Sequence, residues 1–297
     1  SIIFFILTPF KIVIKGHDDI FYHLPKLDFI TNHKIIFGIA NYYESFAFTN
    51  GWSHINAFYN ILYGYDKNLY LVSFTFFILI INTLYYYFKK THDNNIKLFT
   101  VITITFLCLK FYRLQEFGND FQSILLVFLI FNLYFIFLKK KENNEILFKK
   151  IILYSAFASL FKIHGILINL FLILFLYRKY IFFKKENLRV YLFVLISYLS
   201  TFTTSFINSG CILYPFKSTC LNIEKVSWSA KENINNVYLE AYNKGYEKKF
   251  LNVSNNKVSH EEWLKDFNWF KFHFTSKNFY EPFLKSIIIL ILILFFI

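Results

Sequence analysis

Two adjacent carboxylates, Asp18 and Asp19, follow directly on the apolar run of residues 2–14. Carboxylates placed side by side repel each other, which tends to raise the pKa of one of them and suits it to act as a general base. Carboxylate oxygens also bind divalent cations. A solvated helix end is the simpler explanation of an acidic pair. Ionisable groups at a membrane boundary are costly, however, and usually mark a site or a pathway.

A second polar group, Arg113, Glu116 and Asp120, separates two apolar runs. Glu116 and Asp120 are four residues apart, so they share a face if the following helix begins early. Asp120 is equally well explained as the N-cap of the helix that starts at Phe121. If Asp120 lies opposite Asp18, the two carboxylates could bind one divalent metal ion. Arg113 could bind a phosphate group, because its planar guanidinium matches the geometry of phosphate oxygens.

Two further pairs interrupt or follow apolar sequence. Lys162 and His164 separate two short apolar runs, where a lysine either snorkels to the interface or pairs with an anion between helices. A lipid-linked phosphate is the natural anion for such a lysine. Cys211 and Cys220 are nine residues apart and form a candidate disulfide if they lie outside the cytosol.

The elements that must position these residues are apolar. The chain has 297 residues, of which 56% are hydrophobic and 17% charged, and its apolar residues are clustered in a way typical of membrane helices. Six runs predict helices: 69–88, 96–112, 121–138, 147–161, 165–177 and 188–208. The fourth and fifth are either a tight hairpin or one broken helix. We therefore predict an all-α, polytopic protein with a single membrane domain over 1–297. The terminal runs are too short to cross a bilayer, so we expect both ends to be truncated.

The loops 89–97, 139–150 and 178–189 are rich in lysine and arginine, which places them in the cytoplasm by the positive-inside rule. Segments 15–68, 113–119, 162–164 and 209–282 then share the outer side. We expect interfacial helices in 15–68. In the outer segment 209–282, the aromatic residues of 263–270 predict either an interfacial helix or a surface that contacts carbohydrate, and the interfacial helix is the favoured interpretation. The net charge of +13 is explained by the basic loops, so a nucleic-acid partner is not predicted. Motifs of serine hydrolases, P-loop enzymes, dinucleotide-binding enzymes and zinc proteases are absent from the sequence.

The residues Asp18-x-x-x-Tyr22-His23-Leu24-Pro25 resemble the D-x-x-x-Y-H-L-P stretch that follows the first helix of many bacterial GT-C-type membrane glycosyltransferases. In those enzymes an acidic residue that opens the first outer loop acts as base on the acceptor. Segments 37–52, 113–120 and 209–229 resemble a narrower group of multi-pass membrane proteins associated with bacterial envelope polysaccharides. The match is imperfect, because Tyr42-Tyr43 replaces the Leu-His of that group.

The resemblance implies a GT-C-like fold in the bacterial inner membrane, with the active face outside the cytoplasm. It implies sugar transfer from a polyprenyl-phosphate donor to a cell-envelope glycan or lipid. Membrane lipids would surround the protein. Asp18 would be the catalytic base, and Asp19, an additional carboxylate that the motif does not require, or Asp120 would help to bind a metal ion or the acceptor. The expected substrate-binding residues are Tyr22, His23, Arg113, Glu116, Lys162 and His164. A flippase or transporter for lipid-linked glycans and a polysaccharide polymerase are the alternatives.

Overall fold

The structure is a computed structural model that describes residues 19–33, 35–48, 50–63, 69–115, 118, 120–139, 145–162, 164–177, 188–243, 259–267 and 269. Within these ranges the regular secondary structure is helical, and the pairing of Cys211 with Cys220 is an isolated antiparallel bridge. The predicted all-α class is confirmed.

A π-helical turn at Asp19–His23 leads into the first α-helix. The α-helices in chain order are α1 Leu24–Asn32, α2 Gly51–Tyr63, α3 Leu69–Lys90, α4 Asn94–Leu109, α5 Asp120–Lys139, α6 Glu145–Phe161, α7 His164–Tyr177, α8 Leu188–Ser209, α9 Asn236–Asn243 and α10 His260–Leu264. The six predicted apolar runs all form helices, namely α3 to α8.

Within the described residues, three helices are long and apolar enough to cross a membrane: Leu71–Lys90 within α3, α5 and α8. Of the residues in the most apolar window of each, 67% are buried in α5 but only 22% in α3 and 28% in α8. Helix α5 is therefore the central helix, and α3 and α8 present much of their apolar surface to the surroundings. Helix α4 is also apolar but shorter.

The core lies where α5 packs against α3, α4 and α6, and α6 packs in turn against α7 and α8. Polar pairs connect these helices inside the core. The amide of Gln122 donates to Ser73 Oγ at 2.9 Å, and the amide of Asn132 donates to Thr100 Oγ1 at 2.8 Å. Such interhelical hydrogen bonds are a common means of association between membrane helices, and here they fix how α5 sits against α3 and α4.

Helices α6 and α7 form a tight hairpin, which decides between the two alternatives that the sequence left open. The turn closes when the Gly165 N–H donates to the Lys162 carbonyl at 2.9 Å. A Cβ atom at Gly165 would lie 2.4 Å from the backbone of Ala158, so only glycine permits this close approach of the two helices. Lys162 is left at the turn, at one end of the bundle.

A disulfide-linked unit, which we call the disulfide cap, is formed by residues 35–48 and 210–234. The Gly38 N–H donates to the Ile207 carbonyl at 2.8 Å, which ties the first part of the cap to the end of α8. Asn41 joins the two parts, because its amide donates to the Trp228 carbonyl at 3.0 Å and its oxygen accepts from Asn233 at 2.9 Å.

Over the described residues 263–267, the predicted interfacial helix is wrong in two respects. The α-helix ends at Leu264 and continues as a 3₁₀ turn, Lys265–Phe267, in which Asp266 has a left-handed backbone with φ of 54°. Trp263 is fully buried, so it cannot serve as a membrane-surface residue. The aromatic spacing indicated amphipathicity, but tertiary packing takes up the tryptophan.

Candidate functional site

A carboxylate with two cations lies at one end of the helical bundle. Asp120 is the first residue of α5, Arg113 lies in the preceding 3₁₀ turn, and Lys162 lies in the α6–α7 turn. Arg113 Nη2 is 3.8 Å from Asp120 Oδ2, and Lys162 Nζ pairs with Asp120 Oδ1. Among the described side chains, this group places two cations beside one carboxylate. We refer to Arg113, Asp120, Lys162 and His23 as the charged cluster.

His23 is the residue of the first sequence motif that lies near Asp120 and Lys162. Its imidazole ring is 7% exposed and packs against the loop before α5, because a Cβ atom at Gly118 would lie 3.0 Å from His23 Nε2. Burial lowers the pKa of His23 to about 4; the charge of Asp120 partly offsets this, and Lys26 and Lys162 add to the lowering. The ring is therefore neutral at pH 7.

The Nδ1 atom of His23 is buried and has no hydrogen-bond partner in the part of the chain that the structure describes. A buried polar atom without a partner is uncommon and calls for an explanation such as a bound ligand or water. In the neutral ring one nitrogen is a donor and the other an acceptor. His23 can therefore offer a hydrogen bond to a substrate hydroxyl beside the charged cluster.

Lys26 is a residue that the sequence did not single out. It lies in α1, is 4% exposed, and its ammonium donates to the Phe46 carbonyl at 3.0 Å and to the Phe48 carbonyl at 2.5 Å. Burial lowers the pKa of Lys26 to about 7. The lysine therefore attaches α1 to the disulfide cap, and its charge also acts on His23.

Of the other predicted site residues, Tyr22 has a described side chain close to His23. The Tyr22 ring lies beside that of His23, with ring centroids 3.8 Å apart. Asp19 and His164 are described in their backbone only, at the π-helical turn and at the first residue of α7. Asp18 and Glu116 lie outside the described residues, so a metal ion between Asp18 and Asp120 stays a prediction. Among the described side chains, no three His, Cys, Asp or Glu residues are grouped as metal ligands.

Cys211 and Cys220 form a disulfide with an S–S distance of 2.05 Å. It closes the first loop of the disulfide cap, next to the buried hydroxyl of Ser205. That hydroxyl donates to the Cys211 carbonyl at 2.9 Å and accepts from the Tyr214 N–H at 3.0 Å. The Cys211 carbonyl and the Tyr214 N–H thus both find a partner in Ser205.

The described part of the chain is helical, with three helices able to cross a membrane and a charged cluster at one end of the bundle. The family model described as "Domain of unknown function (DUF8201)" matches residues 1–297, so the chain belongs to that family. No curated protein and no solved structure matches the chain.

Proposed function

We propose that this protein is a multi-pass membrane glycosyltransferase of GT-C type. It would transfer a sugar from a polyprenyl-phosphate donor to a cell-envelope glycan or lipid, on the outer face of a bacterial inner membrane. The observation that carries this proposal is the charged cluster. It joins His23 of the first motif to Arg113, Asp120 and Lys162, which are distant in sequence and were each expected at the site.

The cluster has the charges that such a reaction needs. The acceptor oxygen attacks the anomeric carbon of the donor sugar, the bond from that carbon to the phosphate oxygen breaks, and the phosphate leaves with the electron pair. Arg113 and Lys162 would stabilise the leaving phosphate, because preorganised cations act most strongly where charge develops. The acceptor proton would pass to Asp18, the expected base.

Asp120 has a different role in this proposal from the metal ligand that the sequence predicts. Its carboxylate is already paired with Arg113 and Lys162, which lowers its attraction for a divalent ion. It would instead hold the two cations in place for the donor phosphate. We expect sugar transfer to persist when divalent ions are removed with EDTA, and a complete loss would restore the metal hypothesis.

The proposal is tested by mass spectrometry of lipid-linked and envelope glycans in cells with and without the gene. A glycosyltransferase predicts that one envelope glycosidic linkage disappears while its polyprenyl-phosphate sugar accumulates. A flippase predicts instead that intact lipid-linked glycans remain on the cytoplasmic side with every linkage already formed. A polymerase predicts short glycans in place of long ones, with all linkages of the repeat unit present. Either of the last two results would contradict the proposal.

A further inference from the structure

A cavity of about 320 Å³ lies between α2, α6 and α8. One part of its wall is polar and the other apolar, as is common in sites that bind small molecules. The polar lining residues are Asn50, His54, Ser200, Thr201 and Thr204, and the apolar ones include Phe157, Leu160 and Phe161. None of the lining residues carries a permanent charge, which sets this cavity apart from the charged cluster.

The polar wall is rich in hydrogen-bond acceptors. His54 Nδ1 donates to the Asn50 carbonyl at 3.1 Å, so Nε2 of the neutral ring is left as an acceptor. Desolvation lowers the pKa of His54 and thus favours the neutral ring. Thr201 and Thr204 use their hydroxyl protons on the carbonyls of Ser197 and Ser200, so their oxygens can still accept. Such a wall fits a ligand that carries hydroxyl groups and no charge.

Two exposed apolar helix faces continue from the cavity. On α8, Leu192 and Ile196 precede Ser200 and Thr204 at steps of four residues, so all four lie on one face. On α2, Phe58 and Ile61 follow His54 on the same face. Leu192 is 47% and Ile196 62% exposed, and Phe58 and Ile61 are 65% and 63% exposed. Since α8 is a candidate membrane span, these faces are suited to contact lipid chains.

We propose that the cavity binds a membrane lipid whose headgroup is uncharged and bears hydroxyl groups. The headgroup would occupy the polar wall, and the chains would lie along the exposed faces of α2 and α8. This inference rests on the proposed location in a membrane and does not depend on sugar transfer. The protein would then have two separate binding sites, one for an anion at the charged cluster and one for a neutral lipid at the cavity.

The test uses the full chain in phosphatidylcholine vesicles that contain a diacylglycerol with a diazirine in one acyl chain. We expect light-induced labelling of peptides from α2 or α8. Unlabelled diacylglycerol should suppress this labelling at least fivefold more effectively than phosphatidic acid with the same chains. The variants His54→Phe and Thr204→Val should each reduce the competed labelling severalfold, because each removes an acceptor.

Thr83→Val is the matched control. Thr83 lies in α3 and makes the same hydroxyl bond to the carbonyl four residues earlier, at 2.7 Å from Leu79 O, so its replacement should leave the labelling unchanged. Equal suppression by phosphatidic acid, or undiminished labelling in both cavity variants, would overturn the inference. Release of the chain from membranes by alkaline carbonate would overturn it together with the membrane location. Labelling as expected without any sugar transfer would overturn only the proposed function.

Discussion

The disulfide cap and the charged cluster differ in how their polar groups are satisfied. In the cap, backbone and side-chain groups bind each other: Lys231 pairs with Asn222 at 2.5 Å, and Ser229 donates to the Leu221 carbonyl at 2.5 Å. In the charged cluster, two cations share one carboxylate and the buried Nδ1 of His23 has no partner among the described residues. The cap is organised for a fixed shape, whereas the cluster has a buried hydrogen-bonding atom of His23 that suits a ligand.

The glycines of the two regions show the same difference. Gly38 and Gly210 in the cap have positive φ values of 72° and 71°, and a Cβ atom at Gly210 would lie 2.7 Å from the Ser229 backbone. These glycines permit backbone to pack on backbone. Gly118 instead makes room for a side chain of the charged cluster, His23. Replacing a cap residue should therefore affect stability first, and replacing a cluster residue should affect activity first.

The largest expected effect follows from Asp120→Asn, which removes the carboxylate that holds Arg113 and Lys162. We expect sugar transfer to fall on the order of 100-fold or more, as when one preorganised electrostatic contact is lost from an active site. Initial rates with a polyprenyl-phosphate sugar in vesicles measure this loss.

Asp93→Asn is the control for that experiment, because Asp93 also pairs with a lysine, Lys139 at 3.7 Å. Asparagine preserves its role as N-cap of α4, so transfer should stay within twofold of the wild type. Equal losses in the two variants would mean that Asp120 acts only through stability.

The next effect concerns the disulfide cap. Joint replacement of Cys211 and Cys220 by serine should lower the free energy of unfolding by about 2–3 kcal/mol, because the bond restricts a short loop in the unfolded chain. Transfer below the unfolding temperature should remain within a few-fold of the wild type.

Thermal unfolding in detergent, with Cys108→Ser as the control, measures this cost. Cys108 is a free cysteine in α4, so its replacement should change the unfolding temperature little. If loss of the disulfide abolished transfer in a folded protein, the distinction between the two regions would be wrong.

The smallest effect is a pH dependence of stability that arises from His23. Its pKa is about 4 in the folded protein, against 6.5 as the ordinary value, so the unfolded chain binds the proton more readily. The contribution to stability is complete above pH 6.5 and is lost as the pH falls towards 4. Between pH 7 and pH 5 the free energy of unfolding should fall by about 2 kcal/mol through this residue.

The variant His23→Gln should remove that part of the pH dependence, as followed by unfolding at several pH values. His33→Gln is the control, since His33 is exposed. An unchanged pH slope in His23→Gln would show that the imidazole is not held neutral by burial.

The sequence was sufficient to predict helices α3 to α8, because each coincides with a predominantly apolar run. It could not decide between a hairpin and a broken helix at residues 162–165, because that depends on the contact of Gly165 with Ala158. Burial of Trp263 also depends on tertiary packing, which outweighed the amphipathic spacing around it.

The candidate site was predictable only in part. Residue types and a motif resemblance indicated His23, Arg113, Asp120 and Lys162, but their meeting at one end of α5 is a property of the fold. Lys26 was missed because its ammonium binds the carbonyls of Phe46 and Phe48, and backbone acceptors have no sequence signature. Its place beside apolar residues in α1 was the one available signal.

The proposed function requires that the charged cluster and the acidic pair Asp18 and Asp19 together promote the transfer of a sugar. The most direct measurement is the formation of the glycosidic bond by purified protein in vesicles, with a radiolabelled polyprenyl-phosphate sugar and an envelope acceptor. We predict that Asp18→Asn abolishes transfer and that Asp28→Asn, which changes an exposed carboxylate in α1, leaves it intact. Transfer at the normal rate by Asp18→Asn would contradict the assignment of the base, and no transfer by the wild-type protein would contradict the proposed reaction.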